Sequence, residues 1–166
     1  MQPFNLTRLN MFSPYPVWQN SSDSYKFRTD FGVVFRVVFT RNQDIWQDNE
    51  AYEFGLFNEN GLTSPNDTKV KATIQCIIEE FFLTNPNILL YQCETGDNRQ
   101  AMRARLFKRW FSDYEFAERY CVKVSVLKAD NIDNYIALIV QSNNPKLEGI
   151  IRDFDEFIGF FGTKPE

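Results

Sequence analysis

Histidine is wholly absent from this chain of 166 residues. That absence removes Ser-His-Asp hydrolysis, Cys-His proteolysis, His-ligated zinc and histidine-based acid–base catalysis together. Cysteine is scarce. Cys76, Cys93 and Cys121 show no metal-ligand spacing, so no metal site is expected, and three thiols cannot all pair within one chain. Each falls in or beside an apolar segment and reads as a reduced, mostly buried small hydrophobe. The N-terminus shows no basic region followed by an apolar run, and no segment approaches the roughly 20 apolar residues that span a bilayer. A cytoplasmic protein without a membrane partner is the expectation. An excess of positive charge is missing too: a net charge of −4 and a pI near 5.0 disfavour nucleic-acid binding by overall field. Internal repeats, low-complexity tracts and linkers are also missing.

Aromatic residues are abundant. They make up 16% of the chain, with seventeen Phe, which implies a core filled with large flat rings. Residues 1–24 carry Pro3, Pro14 and Pro16 and the polar run Gln19 to Ser24, so an irregular N-terminal arm is expected there. The remainder, 25–166, fits a single α/β domain. Tyr25 to Thr29 alternates, Asp30-Phe31-Gly32 supplies turn chemistry, and Val33 to Thr40 is rich in β-branched and aromatic residues. Ala51 to Phe57 alternates again. A helix then begins near Ser64 to Asp67, with Val70, Ile74, Ile77, Ile78, Phe81 and Phe82 on one stripe. Ile88 to Cys93 is a continuous apolar run, the pattern of a strand covered on both faces. A second helix is expected over about 98–114, a hairpin over 121–141, and a last amphipathic helix over about 145–161. The order β-β-β-α-β-α-β-β-α implies an α/β (α+β) fold with a mixed, mostly antiparallel sheet and helices on its faces.

The junction Glu94-Thr95-Gly96-Asp97-Asn98-Arg99, where a buried strand passes into a helix, is the candidate ligand site, since anions favour such helix starts. At about 100° per residue, Met102, Leu106, Phe107, Trp110 and Phe111 fill one arc, with Arg99 and Arg103 inside it. Two arginines on an apolar face either clamp a small anionic ligand or brace the acidic turn through Glu94 and Asp97. The basic residues of helix 98–111 offer another role, a nucleic-acid or protein-binding surface. Trp18 and Trp46, if exposed, are candidates for a partner surface. The oligomeric state is left open.

The motif running from Asn85-Pro86-Asn87 through Gly96-Asp97, Arg99-Gln100-Ala101 and Arg103 to Trp110-Phe111 resembles an uncharacterised family of small bacterial proteins, Bacteroidetes-type, of unknown function. That resemblance implies a family and no mechanism. The element order from Ala51 onward is similar to the second half of the acyl-CoA N-acyltransferase (GNAT) fold. The likeness implies acetyl-CoA or another acyl-CoA as cofactor, with Gly61 in the diphosphate-binding loop, and Glu53, Glu94 or Tyr114 handling protons. That loop reads Asn58-Glu59-Asn60-Gly61, acidic where the family carries a glycine-rich pattern. A degenerate, non-catalytic ligand- or partner-binding domain is therefore set first, ahead of an active acyltransferase.

Overall fold

The computed structural model describes residues 1–92 and 99–162, with backbone alone at Gln100, Tyr114, Ala129, Phe161 and Gly162. Seven strands, β1 (Val17–Ser21), β2 (Ser24–Arg28), β3 (Val34–Asn42), β4 (Ala51–Asn58), β5 (Ile88–Gln92), β6 (Tyr120–Ala129) and β7 (Ile132–Gln141), form one mostly antiparallel sheet in the order β1-β2-β3-β4-β5-β7-β6. The chain divides into two compact units, Met1–Thr40 with Phe54–Pro86, and Arg41–Glu53 with residues 87 onward.

The first unit holds α1 (Leu6–Phe12), β1 (Val17–Ser21), β2 (Ser24–Arg28), most of β3 (Val34–Asn42) and of β4 (Ala51–Asn58), and α2 (Thr68–Thr84). The expected irregular arm over 1–24 is thus a helix and a strand. Asn5 caps α1, its side chain accepting the Arg8 amide, and β1 pairs with β2. Long-range polar contacts hold this segment. The amide of Gln2 donates to Asn85 Oδ1 at 2.7 Å, the Asn85 side chain donates back to the Gln2 carbonyl, and Arg8 reaches the buried carboxylate of Glu80. Asp67 caps α2 by accepting the Lys69 amide, and it also accepts the Tyr15 hydroxyl. Pro65 therefore precedes the cap instead of occupying the first turn. The stripe Val70, Ile74, Ile77, Ile78, Phe81 and Phe82 is buried as its spacing requires, with Phe81 stacked on Phe39.

The second unit contains β5 (Ile88–Gln92), α3 (Gln100–Trp110), α4 (Tyr114–Arg119), β6 (Tyr120–Ala129), β7 (Ile132–Gln141) and α5 (Leu147–Gly162). The helix expected over about 98–114 ends at Trp110, and a short α4, not expected from the sequence, follows with Asp113 at its N-cap position and no capping bond from the Asp113 side chain. The hairpin turn is tighter than its polar run suggests. Asp130 and Asn131 alone form it, at φ +53° and +61°, the left-handed pair that a two-residue hairpin requires. Both β5 and β6 run antiparallel to β7, which lies between them; they are mutually parallel, as their helical crossover demands, without being neighbours. Alternation along β5 and β7 separates two faces. Ile88, Leu90, Ile136, Leu138 and Val140 pack under Ile150 and Phe154 of α5. Tyr91, on the other face, stacks against Phe107 of α3 at 4.3 Å. The β5 segment is therefore covered on both sides, and Ile88, Leu89 and Leu90 are fully buried.

Candidate functional site

An aromatic chain fixes how α3 sits. Phe107 lies on Tyr91, Phe111 follows one turn later at 4.6 Å from Phe107, and Phe116 and Tyr120 continue the run through α4 into β6. With Ala104, Phe107 and Phe111 buried, the inward arc is narrower than the sequence implies and is turned away from Met102 and Leu106. Those two residues are 52% and 39% exposed. The ring stack explains the rotation: three aromatic contacts outweigh what the thinner Met and Leu side chains gain from burial.

Arg99 and Arg103 do not both point inward. Arg99 is exposed at the N-cap position of α3, where its own side chain makes no capping bond, while Arg103 is half-buried. Neither is without a partner. Glu94, Thr95, Gly96, Asp97 and Asn98, the rest of the expected ligand turn, lie outside the described residues, as does Cys93.

The outer side of α3 is built differently. Arg105, Lys108 and Arg109 are exposed, and among the described residues none forms an ion pair. No acidic residue occurs in α3. At about 100° per residue these three cations fall to one side of Met102 and Leu106, so the exposed apolar pair is flanked by positive charge along one edge. The sequence contains all five residues, but the apolar pair is naturally assigned to the core.

The acyltransferase-type candidates are placed as follows. Glu53 lies on β4 and accepts the Asn42 amide at 3.2 Å. Tyr114 opens α4, with its side chain outside the described atoms. Gly61 takes a left-handed φ of +69°, and its amide donates to Asn58 Oδ1 at 3.0 Å. The Glu59 amide donates to the Val34 carbonyl, while Asn60 bonds both the Val34 amide and the Gly32 carbonyl. The Glu59 and Gly61 amides and the Asn58 and Asn60 side chains are thus committed to holding the loop against residues 32–34 and to itself. Trp18 is 44% exposed, but Trp46 is buried in the β5–β7–α5 cluster and is not a surface feature.

Cys76 and Cys121 are free thiols, half-buried where fuller burial is expected. Burial pushes the Cys76 thiol up to about 11, with the nearby Glu79 charge adding to the effect. Among the described residues, no three Cys, Asp or Glu side chains converge on a metal position, and no helix is long and apolar enough to cross a membrane. A groove of about 530 Å³ runs along α5, lined by Glu148, Ile151, Arg152, Asp155 and Glu156. Its charges are mixed, and Asp155 is held by Lys123 at 2.6 Å.

Comparison with curated proteins gives no match. A family of unknown function, DUF6169, matches residues 66–156, a span that starts beside the cap of α2 and ends within α5. It contains the Asn85 to Phe111 motif and more than half of the chain. The chain therefore belongs to the DUF6169 family of unknown function.

Proposed function

We propose that this protein is a non-catalytic binding domain that holds an acidic protein partner on the outer side of α3. One observation carries the reading: Arg105, Lys108 and Arg109 are exposed, form no ion pair among the described residues, and lie along one side of exposed Met102 and Leu106. Cations attract and orient an acidic surface, and the apolar strip beside them supplies contact area that charge alone does not. A nucleic acid fits less well. The net charge is −4, and the aromatic rings of α3 that would stack on bases are turned inward or half-buried.

A fluorescent amphipathic peptide of Glu and Leu should bind, and affinity should fall as salt is raised. The double variant Arg105→Glu/Arg109→Glu should abolish binding, and Leu106→Ser should weaken it without changing the salt dependence. Tighter binding of single-stranded oligonucleotides than of the peptide, with the same sensitivity to Arg105 and Arg109, would overturn the reading.

The narrower version, a small anionic ligand at Arg99 and Arg103, draws support from the helix start beside them. It calls for inorganic phosphate to raise the melting temperature in a manner lost in Arg103→Ala. An acyl-CoA-dependent activity is supported by element order alone, which does not confer function. With the Gly61 amide already engaged by Asn58, acetyl-CoA should leave the melting temperature unchanged.

A further inference from the structure

Among the described residues β6 closes the sheet order and has β7 as its sole strand neighbour, which leaves a ten-residue edge. Such an edge is a template for another strand unless lysine, proline or a bulge blunts it. β6 contains no proline, and its register with β7 runs unbroken from Tyr120 to Ala129. It does carry Lys123 and Lys128. Lys123, however, is drawn onto α5, where its Nζ lies 2.6 Å from Asp155 Oδ2. Lys128 sits near the turn, at the end of the strand.

The two-residue turn decides which backbone groups are free. A turn of this type bonds Ala129 to Ile132, and in an antiparallel ladder bonded and non-bonded pairs alternate. Leu127, Ser125, Lys123 and Cys121 thus spend their N–H and C=O groups on β7. Val122, Val124, Val126 and Lys128 turn theirs outward. The Tyr120 amide fits this parity, because it points away from β7 and donates to Phe116.

We infer that the β6 edge is the seat of a second copy of this chain, paired antiparallel about a twofold axis through Val124. In this register Val122 faces Val126, and Val124 faces its own counterpart. Outward groups meet outward groups throughout, giving about six backbone hydrogen bonds from three pairs. β-branched residues oppose one another at each of these pairs, a favourable cross-strand combination. Lysine never meets lysine: Lys123 faces the second copy's Ser125, and Lys128 faces its Tyr120. Moving the axis to residue 123 would set Lys123 against Lys123, and moving it to residue 125 would replace a valine pair with Val122 against Lys128. The half-exposed valines and Val126, at 42% exposure, gain cover from the pairing. The α3 surface proposed above contributes no residue to it.

Sedimentation velocity across a dilution series up to roughly 100 μM tests the inference. Wild type should show a monomer–dimer equilibrium. Val124→Pro removes an outward N–H without touching a β6–β7 bond, so the hairpin should stand while dimerisation weakens roughly tenfold or more. Ser125→Glu places a carboxylate opposite the second copy's Lys123 and should strengthen the dimer, whereas Ser125→Lys should weaken it. This pair carries the test if Val124→Pro fails to fold by circular dichroism. A wild type that stays monomeric at the highest concentration overturns the inference. So does a dimer indifferent to a folded Val124→Pro, or one weakened by Ser125→Glu, which would indicate Ser125 opposite Ser125.

Discussion

Glu80 is where a single substitution reports most on how this chain is held together. Its carboxylate is 2% exposed and accepts Arg8 Nε at 2.9 Å, Arg8 Nη2 at 2.6 Å, the Asn5 amide at 3.0 Å and the Thr84 hydroxyl at 3.0 Å. Burial by itself pushes this carboxyl up, but the donors, Arg8 foremost, outweigh burial and hold it below its ordinary range. Glu80→Ala strands the Asn5 amide and removes the partner of Arg8. Breaking a buried pair from one side costs about 3–5 kcal/mol. The Arg8 side chain is 43% exposed and regains water, so the lower end, about 3 kcal/mol, is the expected loss. For a chain of this size that corresponds to a fall in Tm of about 6–12 °C.

The acid response gives an independent check. A carboxyl whose folded pKa lies below its unfolded value contributes stability that is complete above the unfolded pKa, about 4.3 for Glu. That contribution is lost as the pH falls through the folded value. The gap between wild type and Glu80→Ala should therefore be full near neutral pH and shrink progressively below about pH 4. Urea unfolding of both proteins from about pH 7 to about pH 3 measures it. A neutral-pH gap under about 1 kcal/mol, or a gap that stays constant into acid, would refute the argument that Glu80 anchors α1 through its charge.

Two further predictions concern α3 and the thiols. Phe107→Ala should cost about 3–5 kcal/mol through lost burial and the broken stack on Tyr91, whereas Met102→Ala and Leu106→Ala should stay within about 1 kcal/mol of wild type in the same urea assay. Equal losses at all three positions would restore the wider inward arc. Cys76, with its thiol pushed up to about 11, should hold about one part in a thousand as thiolate near pH 8 and resist an aromatic disulfide reagent until the chain unfolds, as followed by absorbance in the Cys121→Ser/Cys93→Ser background.

Where side chains repeat at a clean period, the sequence is legible. The stripe from Val70 to Phe82, the apolar run of β5 and the alternation of β2 and β4 each emerge at the places their spacing implies. Such patterns are local, and burial of one face enforces them. The missed features depend on partners far along the chain. Nothing near Pro3 or Pro14 announces that Glu80 and Asn85 hold the N-terminal segment from more than seventy residues away. β7 enters between β5 and β6 because strand order is a property of the sheet and not of the sequence. The rotation of α3 is a subtler case. Leu106 and Phe107 are both apolar in a binary pattern, yet Tyr91 selects the flat ring and leaves leucine outside. At the expected ligand turn, Arg99 and Arg103 already have partners, and the acidic residues of 94–97 lie outside the described residues.

The span that defines the family leads to one further consequence. It takes in α2, β5, α3, α4, β6, β7 and most of α5, while α1 and β1 to β4 fall outside it. Both proposed surfaces, the cationic side of α3 and the free edge of β6, lie inside. If the α3 surface is the shared task of these proteins, other members must keep cations at the positions of Arg105 and Arg109, whereas the core position of Phe107 can exchange among large apolar residues of similar volume. Cations are not needed there for folding, since exposed, unpaired charges contribute little stability. A set of members in which acidic and basic residues alternate freely at 105 and 109, while 104, 107 and 111 stay apolar, would mean that α3 is retained for packing alone. Binding would then have to be sought away from this helix.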